Sequence, residues 1–130
     1  MHPKLRQSLI LMVVAALSSG GGILYAQSSI PKAYVVADLK VTDPAGFAKY
    51  AALVQKTMDP FGGIYMARGG KTVAGTGTIQ SEIGRVSIIQ FPDLARAQAW
   101  IASPAYQEIV PIRDKSAVTK AFLVEGLPGI

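Results

Sequence analysis

The sequence predicts an α+β domain whose elements follow the order strand, helix, strand, strand, helix, strand. Three observations predict it. Four short runs are rich in Val, Ile, Leu, Tyr and Phe; between the first two and the last two, apolar residues recur at three- and four-residue spacing; and Pro or Gly falls at nearly every change of pattern. That order is the ferredoxin-like split βαβ arrangement, with an antiparallel four-stranded sheet and both helices on one face.

The first strand is Lys32 to Val41. Thr42-Asp43-Pro44 then supplies a helix cap and a proline in the first turn. Phe47, Tyr50, Ala51, Val54 and Met58 give the following helix one apolar face, and Pro60 with Gly62-Gly63 ends it. Gly63 to Arg68 reads as a second strand closed by Gly69-Gly70. Residues 71 to 84, with Gly75, Gly77 and Gly84, read as a loop or hairpin, either a lid or a solvated connection. Arg85 to Phe91 is the third strand, ended by Pro92. Asp93 caps a second helix through about Ala102, Ser103-Pro104 restarts it to about Ile112, and Ala117 to Gly126 is the fourth strand. No internal repeat and no low-complexity linker interrupts this order.

Strand parity adds a partner. Val35, Ala37 and Leu39 alternate with Tyr34 and Val36, and Ala121 and Leu123 with Phe122 and Val124, so both faces of the sheet call for cover. Two helices cover one. The second face is expected to meet the same face of another copy, making a homodimer that closes a barrel-like space across a two-fold axis.

The N-terminus reads as an export signal. Lys4 and Arg6 form a positive start, Ser8 to Leu17 an apolar core, and Leu24-Tyr25-Ala26 a near A-x-A site, which predicts cleavage near Ala26 and contact with a membrane only during export. An uncleaved anchor is the rival reading, but Ser18-Ser19-Gly20-Gly21-Gly22 breaks a run that would have to reach roughly 20 apolar residues. The expected destination is the periplasm or the exterior, with residues 27 to 130 forming one domain. Losing Lys4 and Arg6 leaves 11 of the 13 basic residues against all eight acidic ones, a net +3. The lysines are scattered singly, so nucleic acid is not an expected partner. No Cys is present, so burial rather than disulfides must hold the fold.

Tyr34, Asp43-Pro44, Tyr50, Gly62-Gly63, Arg68-Gly69-Gly70, Phe91-Pro92, Trp100, Ser103, Tyr106, Arg113 and Glu125-Gly126 stand in an order and spacing that resemble the domain of unknown function family 1330, in the dimeric α+β barrel superfamily. The resemblance spans about residues 33 to 126 and implies a fold and a dimer; the superfamily's activities are too varied to imply a function. The chain departs from the family pattern at Ala74 and Gln90, where acidic residues are common. Both changes remove carboxylates.

Arg68 ends a strand beside Gly69 and Gly70, where a guanidinium fork can grip a carboxylate or phosphate and the glycines can admit a ligand to the backbone. Its structural alternative is a salt bridge to Asp43, Asp59 or Glu125. Arg113, placed after the second helical region, is either a second anion contact or a cation that stabilises a helix C-terminus. Tyr50, Trp100 and Tyr106 can line a pocket with an apolar body and a polar tip, or simply pack. Asp38 shares the parity of Tyr34 and Val36; it is a general base facing the barrel interior or a member of an interface ion pair. Ser103 reads as a helix cap.

The one His is His2, inside the leader, so no Ser-His-Asp triad can form in the remainder, and neither a metal site nor a cofactor is expected. Heme would have only Tyr or Met as axial ligands. Three functions stay open: a dimeric module binding a small, partly apolar or anionic molecule between sheet and helices; a cofactor-independent enzyme with monooxygenase- or isomerase-like proton transfer; and a protein-interaction module of the envelope.

Overall fold

The structure, a computed structural model, describes residues 30–77 and 83–129. The expected leader and its expected cleavage near Ala26 lie outside the described residues. Strands β1 (Ala33–Val41), β2 (Ile64–Arg68), β3 (Arg85–Phe91) and β4 (Ala117–Glu125) alternate with helices α1 (Pro44–Met58), α2 (Leu94–Ala102) and α3 (Pro104–Ser116), and a short 3₁₀ turn, Asp59–Phe61, follows α1. All pairs are antiparallel and the strand order is β2-β3-β1-β4, the ferredoxin-like topology.

Each helix starts where a short polar side chain can satisfy a free amide. The Asp43 carboxylate accepts from the Gly46 amide at 3.2 Å, and that of Asp93 from the Arg96 amide at 2.8 Å. Ser103 serves two helices: its hydroxyl donates to the Trp100 carbonyl at 2.6 Å, ending α2, and accepts from the Tyr106 amide at 3.4 Å, starting α3. Pro104 sits at the first turn of α3, where no amide is required.

Helix α3 runs past the Ile112 end expected from sequence and reaches Ser116, with Pro111 in its interior. A proline forfeits only its own amide bond to the carbonyl four residues back, and the turn beyond it is fastened by the Ser116 hydroxyl, which donates to the Ile112 carbonyl at 2.8 Å. The helix then passes into β4 without a loop. Its final carbonyl, on Ser116, accepts from the amides of Thr42 and Asp43, locking the end of α3 to the end of β1. Arg113 is consequently part of the helix rather than a residue that follows it.

Alternation sorts the sheet into two unlike faces. Ala33, Val35, Leu39, Ile89, Phe91 and Ala117 point at the helices and bury against Val54, Met58, Trp100 and Ile109. On the opposite face stand Tyr34, Val36, Ile88, Val118, Phe122 and Val124, of which Val118 and Phe122 are 60% and 59% exposed. A sheet face this apolar lying open is the condition that strand parity foretold.

Trp100 anchors the helical layer. It is 2% exposed, stacks at tilted angles on Phe91 and Tyr106, and donates its indole N–H to the Thr57 hydroxyl at 3.0 Å; that hydroxyl in turn donates to the Val54 carbonyl at 2.7 Å. Thr57→Val keeps the shape and orphans the buried indole donor. A loss of about 1–3 kcal/mol of stability is expected in urea unfolding, and an unchanged midpoint would show that the indole is satisfied in another way.

Candidate functional site

The cleft between the helices and the buried face of the sheet owes its existence to small side chains in register. Ser87, Ala37 and Ala121 lie side by side on β3, β1 and β4 and form its floor, whereas the rows above and below carry larger groups: Ile89, Val35 and Leu123 on one side, Arg85, Leu39 and Thr119 on the other. Phe47, Tyr50, Val54, Trp100 and Tyr106 form the roof and walls. The cleft is narrow, with a cavity volume of about 50 Å³, and opens into a wider mouth. Its occupant must be small.

A β-bulge in β2 populates the mouth. Tyr65 pairs with Ile89 and Arg68 with Ser87, so three steps along β2 match two along β3, the irregularity falling between Tyr65 and Ala67. In a regular strand, residues three apart face opposite ways. The extra residue turns both Tyr65 and Arg68 into the cleft.

Three arginines line this space, Arg68, Arg85 and Arg113, and among the described residues that line it there is no carboxylate. Arg68 donates from Nη2 to the Ala51 carbonyl at 2.6 Å and lies 4.5 Å from the centre of the Tyr65 ring. Arg85 sits over Phe47 at 5.6 Å. Among the described residues neither has an ion-pair partner within 4.0 Å, so the salt bridges to Asp43, Asp59 or Glu125 considered for Arg68 do not form. Arg113 differs: its Nε and Nη2 donate to Asp114 Oδ1 at 2.9 and 2.8 Å, and its Nη1 donates to the Tyr106 hydroxyl at 2.7 Å.

Phenols fill the space between these cations. Burial, and after it the adjacent Tyr106, pushes the Tyr50 hydroxyl far above the usual tyrosine value, with Arg113 opposing weakly. Burial also raises Tyr65, against the pull of Arg68 and Arg85. For Arg113, burial lowers the value, but Tyr106 and Asp114 outweigh it and hold the guanidinium more firmly charged than usual. The cleft therefore offers hydrogen-bond donors and positive charge near neutral pH. Among its described lining residues there is no carboxylate or imidazole.

The residues singled out from sequence fall unevenly around this geometry. Arg68, Tyr50, Trp100, Tyr106 and Arg113 line the cleft, although the Trp100 N–H is already spent on Thr57. Gly69 has φ +62°, and a Cβ there would collide with the Arg85 guanidinium. The space it opens is used by Arg85 rather than by a ligand. Gly70 stands in open space outside the lining. Asp38 is on the far face of the sheet, where its Oδ1 accepts from the Gly84 amide at 2.7 Å.

That bond holds the residue just before Arg85, so Asp38 positions the strand start from which Arg85 reaches into the cleft. Of the polar lining residues, Arg85, Tyr65, Ser87 and Thr119 were not singled out from sequence. Arg85 carried a legible signal, because it shares the parity of Ser87, Ile89 and Phe91, a strand face otherwise given to the core.

A profile of the family described as Domain of unknown function (DUF1330) matches residues 32–127. The chain belongs to that family. Among solved structures, the RPA0582 protein of unknown function from Rhodopseudomonas palustris is similar with a TM-score of 0.60 at 18% identity, covering 80% of this chain and 92% of that one; its methylated form gives the same score and identity over 80% and 90%. SnoaB, a cofactor-independent oxygenase from Streptomyces nogalater, is similar with a TM-score of 0.53 at 14% identity, covering 72% of this chain and 91% of that one. At these identities the likeness is one of fold. No curated protein matches by sequence.

The raised phenols predict an alkaline signature. Unfolded tyrosine releases its proton near pH 10, whereas folded Tyr50 and Tyr65 keep theirs beyond that point. The stability they contribute is complete below about pH 10 and is lost as pH rises above it, because the unfolded chain then binds fewer protons than the folded one. Phenolate absorbance of the folded protein should show these two hydroxyls silent through about pH 10; ionisation of Tyr50 at the ordinary value would contradict its burial.

Proposed function

We propose that this DUF1330 protein is an exported homodimer that binds a small organic anion with an apolar body in the cleft between sheet and helices. One observation carries the reading: three guanidiniums converge on a small apolar-walled cleft whose described lining holds no carboxylate, and two of them have no ion-pair partner among the described residues. Arg68 is exposed at the mouth and Arg85 half-buried, neither answered by a carboxylate among the described residues, and an anionic ligand is their natural complement. Export is supported by the Lys4–Arg6 start, the apolar Ser8–Leu17 core and the small residues near Ala26.

Dimerisation is supported by the open sheet face. Its apolar residues are framed by Asp38 on β1 opposite Lys120 on β4, with Lys40 beside them, so the face carries both signs of charge and is self-complementary under a two-fold axis. With two copies joined there, each cleft stays on the outer, helix-covered side of its own sheet. The sites are then independent.

A catalytic reading has the shared fold with SnoaB, a cofactor-independent oxygenase, in its favour. The protonation of the cleft argues the other way. Its titratable lining is guanidinium and phenol, with Tyr50 and Tyr65 pushed upward by burial, while Asp38 stands behind the sheet. Binding needs only donors and charge, and those are what the lining supplies.

Two variants separate the parts of this reading. Phe122→Asp places a charge in the open face and should convert a dimer to a monomer in sedimentation velocity; a wild-type monomer would overturn the dimer. Ala37→Leu fills the floor of the cleft and should abolish the rise in melting temperature produced by millimolar benzoate, with the ligand-free melting temperature kept or raised. Benzoate stabilising Ala37→Leu as well as wild type would place its binding outside the cleft.

A further inference from the structure

The charges of the cleft are segregated, and this defines a ligand more narrowly than an anion of small size. Arg68 and Arg85 stand together on the β2–β3 side, stacked on Tyr65 and Phe47 and unanswered by any carboxylate within 4.0 Å among the described residues. Arg113, on α3, is already answered by Asp114. The unmet charge is therefore at one end of the cleft.

At the other end is an unmet hydrogen bond. Thr119 lines the cleft from β4, and its Oγ1 is buried with no partner, the one side-chain atom in that condition among the described residues. A buried hydroxyl left unpaired is costly and usually marks a missing partner. Thr119 shares a cross-strand row with Arg85 through Leu39, so their backbones are two strand spacings apart, about 9.5 Å. Between them the floor of Ser87, Ala37 and Ala121 carries only small side chains, and Phe47 and Trp100 supply aromatic walls.

We infer that the occupant is a small planar monocarboxylic acid with a second oxygen at its far end, the carboxylate held by Arg68 and Arg85 and the distal hydroxyl or carbonyl oxygen paired with Thr119. Hydroxy- and oxo-substituted aromatic acids are the class. The aromatic walls favour a flat ring between the two oxygens, and a guanidinium pair recognises a planar carboxylate through parallel hydrogen bonds. This assignment rests on the reading of the cleft as an anion site.

The test is a calorimetric titration of the full chain with 4-hydroxybenzoate, benzoate and phenol, repeated on Thr119→Val and Arg85→Met. Wild type should bind 4-hydroxybenzoate about tenfold tighter than benzoate, one hydrogen bond's worth, and phenol should bind at least tenfold weaker than either acid. Thr119→Val should erase the difference between the two acids and leave benzoate unchanged. Arg85→Met, which keeps an apolar chain over Phe47, should weaken both acids at least tenfold and leave phenol alone, with far-UV circular dichroism reporting that the fold persists. Equal affinity of wild type for the two acids would overturn the Thr119 end while the anion site stands. Phenol binding as tightly as the acids would overturn the acid class while a ligand cleft stands, and no binding by any of the three would overturn both this inference and the anion reading beneath it.

Discussion

Uncompensated positive charge in a half-closed cleft is the constraint on which the rest of this molecule turns. Arg68 and Arg85 are held in place by an aromatic ring each, and Arg68 also by a backbone carbonyl, with no carboxylate to neutralise either among the described residues. A ring beneath a guanidinium contributes about 0.5–2 kcal/mol, which steadies the side chain and leaves its charge intact. Several local irregularities become intelligible in that light. The bulge in β2 brings Arg68 to the cleft side, the positive φ of Gly69 clears room for Arg85, and Asp38 fixes the strand start from which Arg85 departs.

The two faces of one sheet are given different work by strict alternation along β1. Val35, Ala37 and Leu39 build the cleft, whereas Tyr34, Val36 and Asp38 belong to the open face. A one-residue slip would exchange the two sets. Register is guarded at both ends: the amides of Thr42 and Asp43 bond the end of α3, and the Gly126 amide donates to the Lys32 carbonyl at 2.7 Å. Cover for the open face by a second copy would stiffen the cleft floor without touching its lining.

Most of the fold was legible because its punctuation is chemical. Asp43-Pro44, Asp93 and Ser103-Pro104 are caps whose side chains satisfy specific amides, and Gly62, with φ +75°, ends the turn after α1 where a side chain would be strained. Strand β3 matched its predicted ends for the same reason, since Pro92 stops it. Pro111 misled, because a proline that costs one hydrogen bond can be carried by a helix secured further on by Ser116. The cleft was half legible. Arg68, Tyr50, Tyr106 and Arg113 are marked by their neighbours in sequence, but a bulge has no sequence signature of its own here, and nothing local distinguishes Thr119 from any other strand threonine. Asp38 drew notice as a carboxylate at an apolar parity; its partner, the Gly84 amide, lies 46 residues away in sequence and could be found only in three dimensions.

The claim at the centre is that the cleft is occupied by a small acid. Native mass spectrometry of the protein purified from its own cells tests this directly. A dimer carrying one discrete, acidic added mass per subunit is the expected result, with that mass absent from an Arg85→Met variant prepared in the same way. A bare chain, or an added mass retained by Arg85→Met, would contradict it.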